Sequence, residues 1–277
     1  MARKTFADVI KEAKIDINYE YVKLYSMFYG DDFEYRFDYL YEACSDYFLN
    51  YSFRGTCTTL YEFEKINDLN FTLNEEQFSQ DYFIRFCEYT YNLAVEIKRI
   101  EKRYVALRNT YIKQIDLIID MIGYEKRKDT ETNVIIFVTK LPEAIAVSEI
   151  IEPSLSYKVI EYNHHSMKGD LARKRETLLK FADLLEARRQ ELKSVSSTLE
   201  QSIFSLFNNI NIRHNNSDPQ SGKYHRFVAE MSNEELEEWY DETYQFCLIC
   251  FLEMDNVERK RKIKELNENI KTADQTP

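Results

Sequence analysis

Apolar side chains recur along most of this chain at intervals of three and four residues, the period that lines one face of an α-helix. Over residues 31–51, Phe33, Phe37, Leu40, Cys44, Tyr47 and Tyr51 lie 4, 3, 4, 3 and 4 apart and draw one continuous stripe. Before it, Ile15 to Phe28 carries a helical pattern that Gly30 would close in the C-terminal glycine position. Residues 52–71 are less regular. Asn74-Glu75-Glu76-Gln77 reads as a polar cap followed three residues later by Gln. From there helical spacing holds through Phe78, Tyr82, Phe86, Tyr89, Leu93, Ile97, Ile100, Tyr104, Leu107, Tyr111, Ile115, Ile118 and Ile122, as far as Gly123. The pattern predicts a long helix over 75–122, about 70 Å if unbroken. Two helices with a kink would fit it too, although no Pro or Gly marks a break. A pattern this long implies coiled-coil-like packing against a partner helix.

Between 124 and 169 the helical period weakens. Val134-Ile135-Ile136-Phe137-Val138 is a short β-type run, and Pro142 and Pro153 each sit where a short helix can begin. This stretch reads as an irregular connector and as the boundary between two helical parts. The helical pattern then resumes. Asp170 can cap a helix carrying Leu171, Leu178, Phe181, Leu185 and Leu192, and a second helix runs from about Ser194 to Ile212. An irregular loop follows from Arg213 to Met231. Ser232-Asn233-Glu234-Glu235 is a capping box that opens a long last helix through Leu236, Trp239, Thr243, Cys247, Cys250, Met254 and Val257. The polar end, 259–277, is expected to fray.

Composition narrows the fold further. The 277 residues include only 5 Gly and 4 Pro, where average usage would give about 33 of the two together. That scarcity excludes sandwiches and barrels, which need a tight turn every ten residues or so. With 44% apolar and 14% aromatic residues, the chain is not disordered. The expected fold is all-α, a long-helix bundle in two helical parts with at most a short strand or hairpin near 133–139. Its parts would be an aromatic-rich domain over 1–123, a connector over 124–169, a second helical domain over 170–258 and a polar tail over 259–277. Fourteen of the 21 Tyr and 11 of the 18 Phe fall in the first 104 residues. These rings either fill a helical core or offer a partner-binding surface.

A net charge of −11 argues against a surface that is all nucleic-acid footprint, though a local basic stripe is compatible with it. No run approaches eighteen apolar residues and no signal-peptide core follows the N-terminus, so a cytoplasmic protein without a membrane segment is expected. Cys44, Cys57, Cys87, Cys247 and Cys250 are an odd set, expected as free thiols. The C-x-x-C pair Cys247/Cys250 sits inside an apolar helix and reads as core rather than as a redox or zinc site.

No phosphate-cradling glycine loop, nucleophile elbow, H-E-x-x-H or EF-hand pattern occurs, and no cofactor or metal is assigned. Adjacent His164 and His165 could take a metal with Glu161 or Asp170, but two neighbouring histidines cannot both face one ion from a regular helix. The segment unlike its surroundings is Phe207–Pro219, where Asn208, Asn209, Asn211, Asn215 and Asn216 surround Arg213-His214. Asn residues there can simply cap the helix and build the turn. Arg213-His214 adds a permanent cation beside a group that titrates near neutrality. Such a pair has the parts for phosphodiester cleavage, with histidine moving a proton and arginine holding transition-state charge. Amides such as Asn209, Asn215 and Asn216 can orient a sugar or phosphate.

Arg followed by a polar residue at a helix end, before a final long helix, resembles the HEPN superfamily (higher eukaryotes and prokaryotes nucleotide-binding). The resemblance covers roughly residues 170–258. It implies a metal-independent ribonuclease or RNA-binding effector of abortive-infection or phage-defence type, built as a homodimer with Arg and His facing one groove. The family's later His, after four to six intervening positions, would fall between Asp218 and Gln220 here; the next histidine is His225. The resemblance thus implies Arg213, His214 and His225 as catalytic candidates. Two basic stretches, 98–128 and 168–193, are either solvated helix faces or an RNA track, the second containing the substrate-binding candidates Arg173 and Arg175. The competing expectation, from a different class, is a non-enzymatic scaffold, sensor or inhibitor acting on a protein partner through the aromatic N-terminal helices.

Overall fold

In the computed structural model of the chain, several helices start where a side chain accepts the backbone N–H groups that a helix terminus exposes, at Asp16, Thr59, Ser79, Asp170, Ser196 and Ser232. The structure describes residues 15–30, 39–73, 78–98, 100–129 and 132–274. Among these are twelve α-helices, two short 3-10 turns and one antiparallel hairpin, an all-α fold. The chain divides into two compact units, residues 1–139 and 140–277. The stretch 124–169, expected as a connector, is shared between them: its hairpin completes the first unit and two of its helices open the second.

In the first unit α1 (Ile17–Tyr29) starts at Asp16, whose carboxylate accepts the N–H groups of Asn18 and Tyr19. It ends at Gly30 with φ +88°, where a Cβ would lie 2.5 Å from the Tyr39 ring, so only glycine fits. The expected stripe over 31–51 begins outside the described residues; its described part is α2 (Leu40–Tyr47) and a 3-10 turn over Phe48–Asn50. The cap expected at 74–77 also lies outside them. Next come α3 (Leu60–Ile66), α4 (Gln80–Glu96, capped by Ser79) and α5 (Lys102–Met121).

The pattern over 75–122 is therefore two helices, broken between Ile97 and Glu101. Groups remote in sequence take up the end of α4: Tyr51 Oη donates to the Leu93 carbonyl at 2.9 Å and Arg108 Nε to that of Ala94 at 2.7 Å. The Ser52 N–H in turn donates to Glu96 at 2.8 Å. Tyr111 Oη donates to Thr90 Oγ1 at 2.8 Å between the two helices. Strands β1 (Tyr124–Lys128) and β2 (Ile135–Thr139) pair with Tyr124 opposite Thr139. Backbone groups of β2 are also bonded by α4: Asn92 exchanges two 2.7 Å bonds with Ile135, and Glu88 accepts from the Phe137 N–H at 2.7 Å. A helix thus protects a strand edge that would otherwise invite pairing.

The N-terminal aromatic residues pack this unit's core. Tyr21 lies 4.0 Å from Phe78 and 4.9 Å from Phe86 between ring centroids. Among the described aromatic residues of the unit, Tyr19 and Tyr61 stand out to solvent. At the centre, buried Glu64 accepts from the hydroxyls of Tyr29, Tyr41 and Tyr89 at 2.9, 3.0 and 2.9 Å. Burial pushes its carboxyl up from the usual range, and the three phenols oppose that rise without cancelling it.

In the second unit α6 (Pro142–Ile150) and α7 (Pro153–Glu161) each begin on a proline. A 3-10 turn, His165–Met167, leads to α8 (Leu171–Ala187), capped by Asp170, then α9 (Arg189–Val195) and α10 (Ser197–Asn209), capped by Ser196. After a loop and the single turn α11 (Arg226–Ala229) comes α12, Asn233–Asp274, 42 residues long. Ser232 and Glu235 form its capping box, with reciprocal bonds of 3.1 and 2.8 Å. Tyr240, Thr243, Tyr244, Cys247, Leu248, Cys250, Phe251 and Met254 are its buried face. Cys247 and Cys250 belong to the core, with burial pushing the Cys250 thiol up to about 12. The segment from Arg259, expected to fray, remains helical to Asp274. Ion pairs within the helix hold it, including Arg261–Glu258, Arg261–Glu265 and Arg259–Asp255. No helix among the described residues is long and apolar enough to cross a membrane.

The Glu64 cluster gives a signed pH dependence. With the folded pKa raised, the unfolded chain ionises first as pH rises. The stabilisation is complete below the ordinary carboxyl range, about 4, and is lost as pH rises through the folded value. Urea midpoints should therefore fall more steeply as pH rises above about 4 for the wild type than for Glu64→Gln. Parallel curves for the two proteins would show that Glu64 is not the group responsible.

Candidate functional site

The loop after α10 is built by asparagines. Asn211 takes φ +61°, a left-handed conformation that Asn tolerates better than most residues. Its Oδ1 accepts the N–H groups of Asn216 and Ser217 at 2.6 and 3.1 Å. Asn216 is fully buried; it accepts the Asn211 N–H at 2.8 Å and donates to the carbonyls of Asn208 and Lys223 at 3.0 and 2.7 Å. Asn216, a substrate-binding candidate on sequence, is instead the loop's internal fastening, with no surface to offer a ligand. Arg175, another such candidate, donates through Nε to the Asn211 carbonyl and holds the loop to α8.

Arg213 is fastened in the same way. Its Nη1 donates to Glu186 at 2.6 Å and its Nη2 to the Ala182 carbonyl at 2.7 Å, both on α8. Its guanidinium lies 5.2 Å from the Phe204 ring and 5.5 Å from the Phe207 ring, both on α10. The Arg213 side chain is 18% exposed. The bond from Arg213 is the largest cause holding the Glu186 carboxyl below its ordinary range. Arginine is therefore the clamp between α8 and α10.

The other sequence candidates are placed differently. His225 is exposed, and its Nε2 lies 3.2 Å from Asn209 Oδ1, so the loop brings those two together. His214 is half-buried and makes no hydrogen bond among the described residues. Asn215 is exposed and accepts from Ser217 Oγ at 3.2 Å. Arg173 points elsewhere, bonding Glu161 at 2.7 Å and Ser166 at 3.2 Å. Glu161 carries Lys158 on its other oxygen at 2.7 Å, and Asp170 caps α8, so both proposed carboxylate companions of His164 and His165 have structural partners. The two basic stretches lie in different units. Carboxylates face much of each, as in Lys126–Asp116, Arg127–Glu125, Arg188–Glu191 and Arg189–Glu200.

Sequence reasoning missed a cleft of about 480 Å³ in the second unit, between the turn after α7 and the first turns of α12. At its base Lys174, only 4% exposed, donates to Glu237 at 2.7 Å and Asp241 at 2.6 Å. Tyr162 Oη donates to the same Asp241 at 3.0 Å, and its ring stacks on Tyr244 at 4.0 Å. Burial, then Asp241, raises the Tyr162 phenol well above its usual value. Burial works against the Glu237 charge, but Lys174 and the Gly169 N–H hold its carboxyl below the usual range. Lys174, Glu237 and Asp241 thus pair with one another at the base of the cleft. The only signal in sequence was Glu237 and Asp241 at i,i+4, facing a lysine that looked like part of a solvated run.

A third feature is the outward face of α12. Ile249, Ile263, Leu266 and Ile270 are 45, 57, 58 and 50% exposed. Comparison of the chain with protein-family models, characterised proteins and solved structures finds no match.

The clamp assignment is measurable. Arg213→Ala should lower unfolding stability by roughly 2 kcal/mol, the scale of lost hydrogen bonds to a charged group. An unchanged urea midpoint would show the guanidinium to be free for a ligand. Lys174→Ala should cost about 3 kcal/mol, because it leaves two carboxylates facing each other without their cation. A midpoint unmoved by that change would show the cleft's ion network to be unimportant to the fold.

Proposed function

We infer that this chain is a non-enzymatic helical interaction protein, a scaffold, sensor or inhibitor, that docks a protein partner on α12. One observation carries the reading: the apolar positions of α12 continue, exposed, past Met254, its last buried residue. A helix turned to solvent on all sides gains nothing from isoleucine and leucine at regular spacing, whereas a helix awaiting a partner does. The clamped state of Arg213 and the burial of Asn216 favour the same reading, because they remove two parts of the alternative site. The aromatic N-terminal helices are the weaker candidate surface, since their described rings other than Tyr19 and Tyr61 are spent on a core.

A second reading follows the HEPN resemblance: an RNA-binding or metal-independent RNA-cleaving effector of phage-defence type. In its favour, His225 is exposed beside Asn209 on the loop that carries His214.

Two measurements separate them. The interaction reading expects no RNA cleavage in EDTA that depends on His214 or His225; cleavage lost in His214→Ala and His225→Ala, with folding intact, would replace it. It also expects Ile263→Gln/Leu266→Gln/Ile270→Gln to melt within about 2 °C of wild type, as solvent-facing changes do. The same variant should lose the cross-linked complexes formed in the cells that make the protein. Complexes indifferent to it would remove α12 as the docking element.

A further inference from the structure

The outward face of α12 has an order of its own. Ile249, Leu252, Asn256, Arg259, Ile263, Leu266 and Ile270 follow one another at 3, 4, 3, 4, 3 and 4 residues, the seam of a coiled coil. Isoleucine or asparagine occupies one of the two seam positions, and leucine or arginine the other. The ion pairs that hold the distal helix fall mainly off this seam, as Arg261–Glu258, Arg261–Glu265 and Lys264–Glu268, while Arg259 of the seam pairs with Asp255 and would exchange partners on docking. Glu242 and Gln245, the two seam positions before Ile249, are exposed as well. Leu252 and Asn256, between Ile249 and Arg259, are half-buried, so a second helix meets a partly covered seam over the packed part of α12 and a bare one beyond it.

We propose that the occupant is a second copy of this chain, its α12 antiparallel to the first, with the two-fold axis midway between Asn256 and Arg259. The proposal rests on reading α12 as the docking element and names its partner. In this register Ile249 packs against the partner's Leu266, and Leu252 against the partner's Ile263. Asn256 faces the partner's Arg259, whose guanidinium finds the amide oxygen. Each of these layers occurs twice by symmetry. The two Asn256–Arg259 pairs at the centre of an apolar seam fix register, because a slip of one heptad buries arginine against isoleucine.

The residues flanking the seam decide the orientation. Before the axis they are acidic, Glu253 and Asp255; after it they are basic, Lys260 and Lys262. Antiparallel pairing sets Glu253 against the partner's Lys260 and Asp255 against the partner's Lys262. Parallel pairing in register would keep only Asp255 against the partner's Lys260, stack Arg259 on the partner's Arg259 and leave Lys262 facing the partner's Asn267. Charge complementarity thus favours a second copy, and the antiparallel direction over the parallel one.

The test uses the purified full-length chain. Sedimentation at micromolar concentration should give twice the 33.3 kDa chain mass. The native cysteines are buried, so Ile249→Cys and Leu266→Cys introduce the accessible thiols. Under mild oxidation the two variants should cross-link when mixed and neither should do so alone; cross-linking of each alone would overturn the antiparallel register. Lys260→Glu/Lys262→Glu should weaken the dimer roughly tenfold or more, and adding Glu253→Lys/Asp255→Lys should restore it. A monomer at every concentration overturns the second-copy proposal. If cellular complexes still depend on Ile263, Leu266 and Ile270 in that case, the docking reading survives with a different partner; if they do not, both fall.

Discussion

An amphipathic helix is stable in a protein only while its apolar face is covered, and α12 is longer than the cover its own unit supplies. Its inward face is buried from Tyr240 to Met254, against α6, α8, α9 and α10. Beyond Met254 the described side chains are half-buried or exposed. An isolated helix of that length is marginal in water, and here ion pairs between neighbouring turns support it. Those pairs leave the isoleucine and leucine seam bare. The same packing that makes α12 the spine of the second unit therefore leaves its outward isoleucines and leucine exposed.

The polar centre of that unit obeys a complementary constraint, that buried hydrogen-bonding groups must find partners. Arg213 illustrates how this redirects a residue type suited to catalysis. A guanidinium bonded to Glu186 and Ala182 and covered by Phe204 and Phe207 ties two helices together. To hold charge on a phosphate it would first have to abandon both bonds. Lys174 shows the same logic at the cleft, where Glu237 and Asp241 neutralise it and Tyr162 completes the cluster.

Much of the fold was legible in the residues. The capping box at Ser232, the cap at Asp170, the glycine stop at Gly30 and the prolines opening α6 and α7 act locally, so they read correctly without the rest of the chain. The break inside 75–122 was not legible. Ile97 and Ile100 continue the helical period, and the groups that take up the end of α4, from Tyr51 and Arg108, are remote in sequence. The site was legible only as composition. An Arg-His pair among asparagines looks alike whether its side chains face solvent or their own helices.

The sequence by itself determined that this protein is all-α, because nine glycines and prolines cannot turn a β-fold and the apolar period is helical. It also determined where the long last helix starts, at the capping box of Ser232, because capping is local. Only the tertiary structure decided which polar residues are spent internally and which apolar ones are left outside. Helical period places a side chain on a face; whether another element covers that face depends on residues brought from elsewhere in the chain. Arg213 and the end of α12 show this: the cation that looked free is bound, and the segment expected to fray stays helical with its isoleucines and leucine exposed.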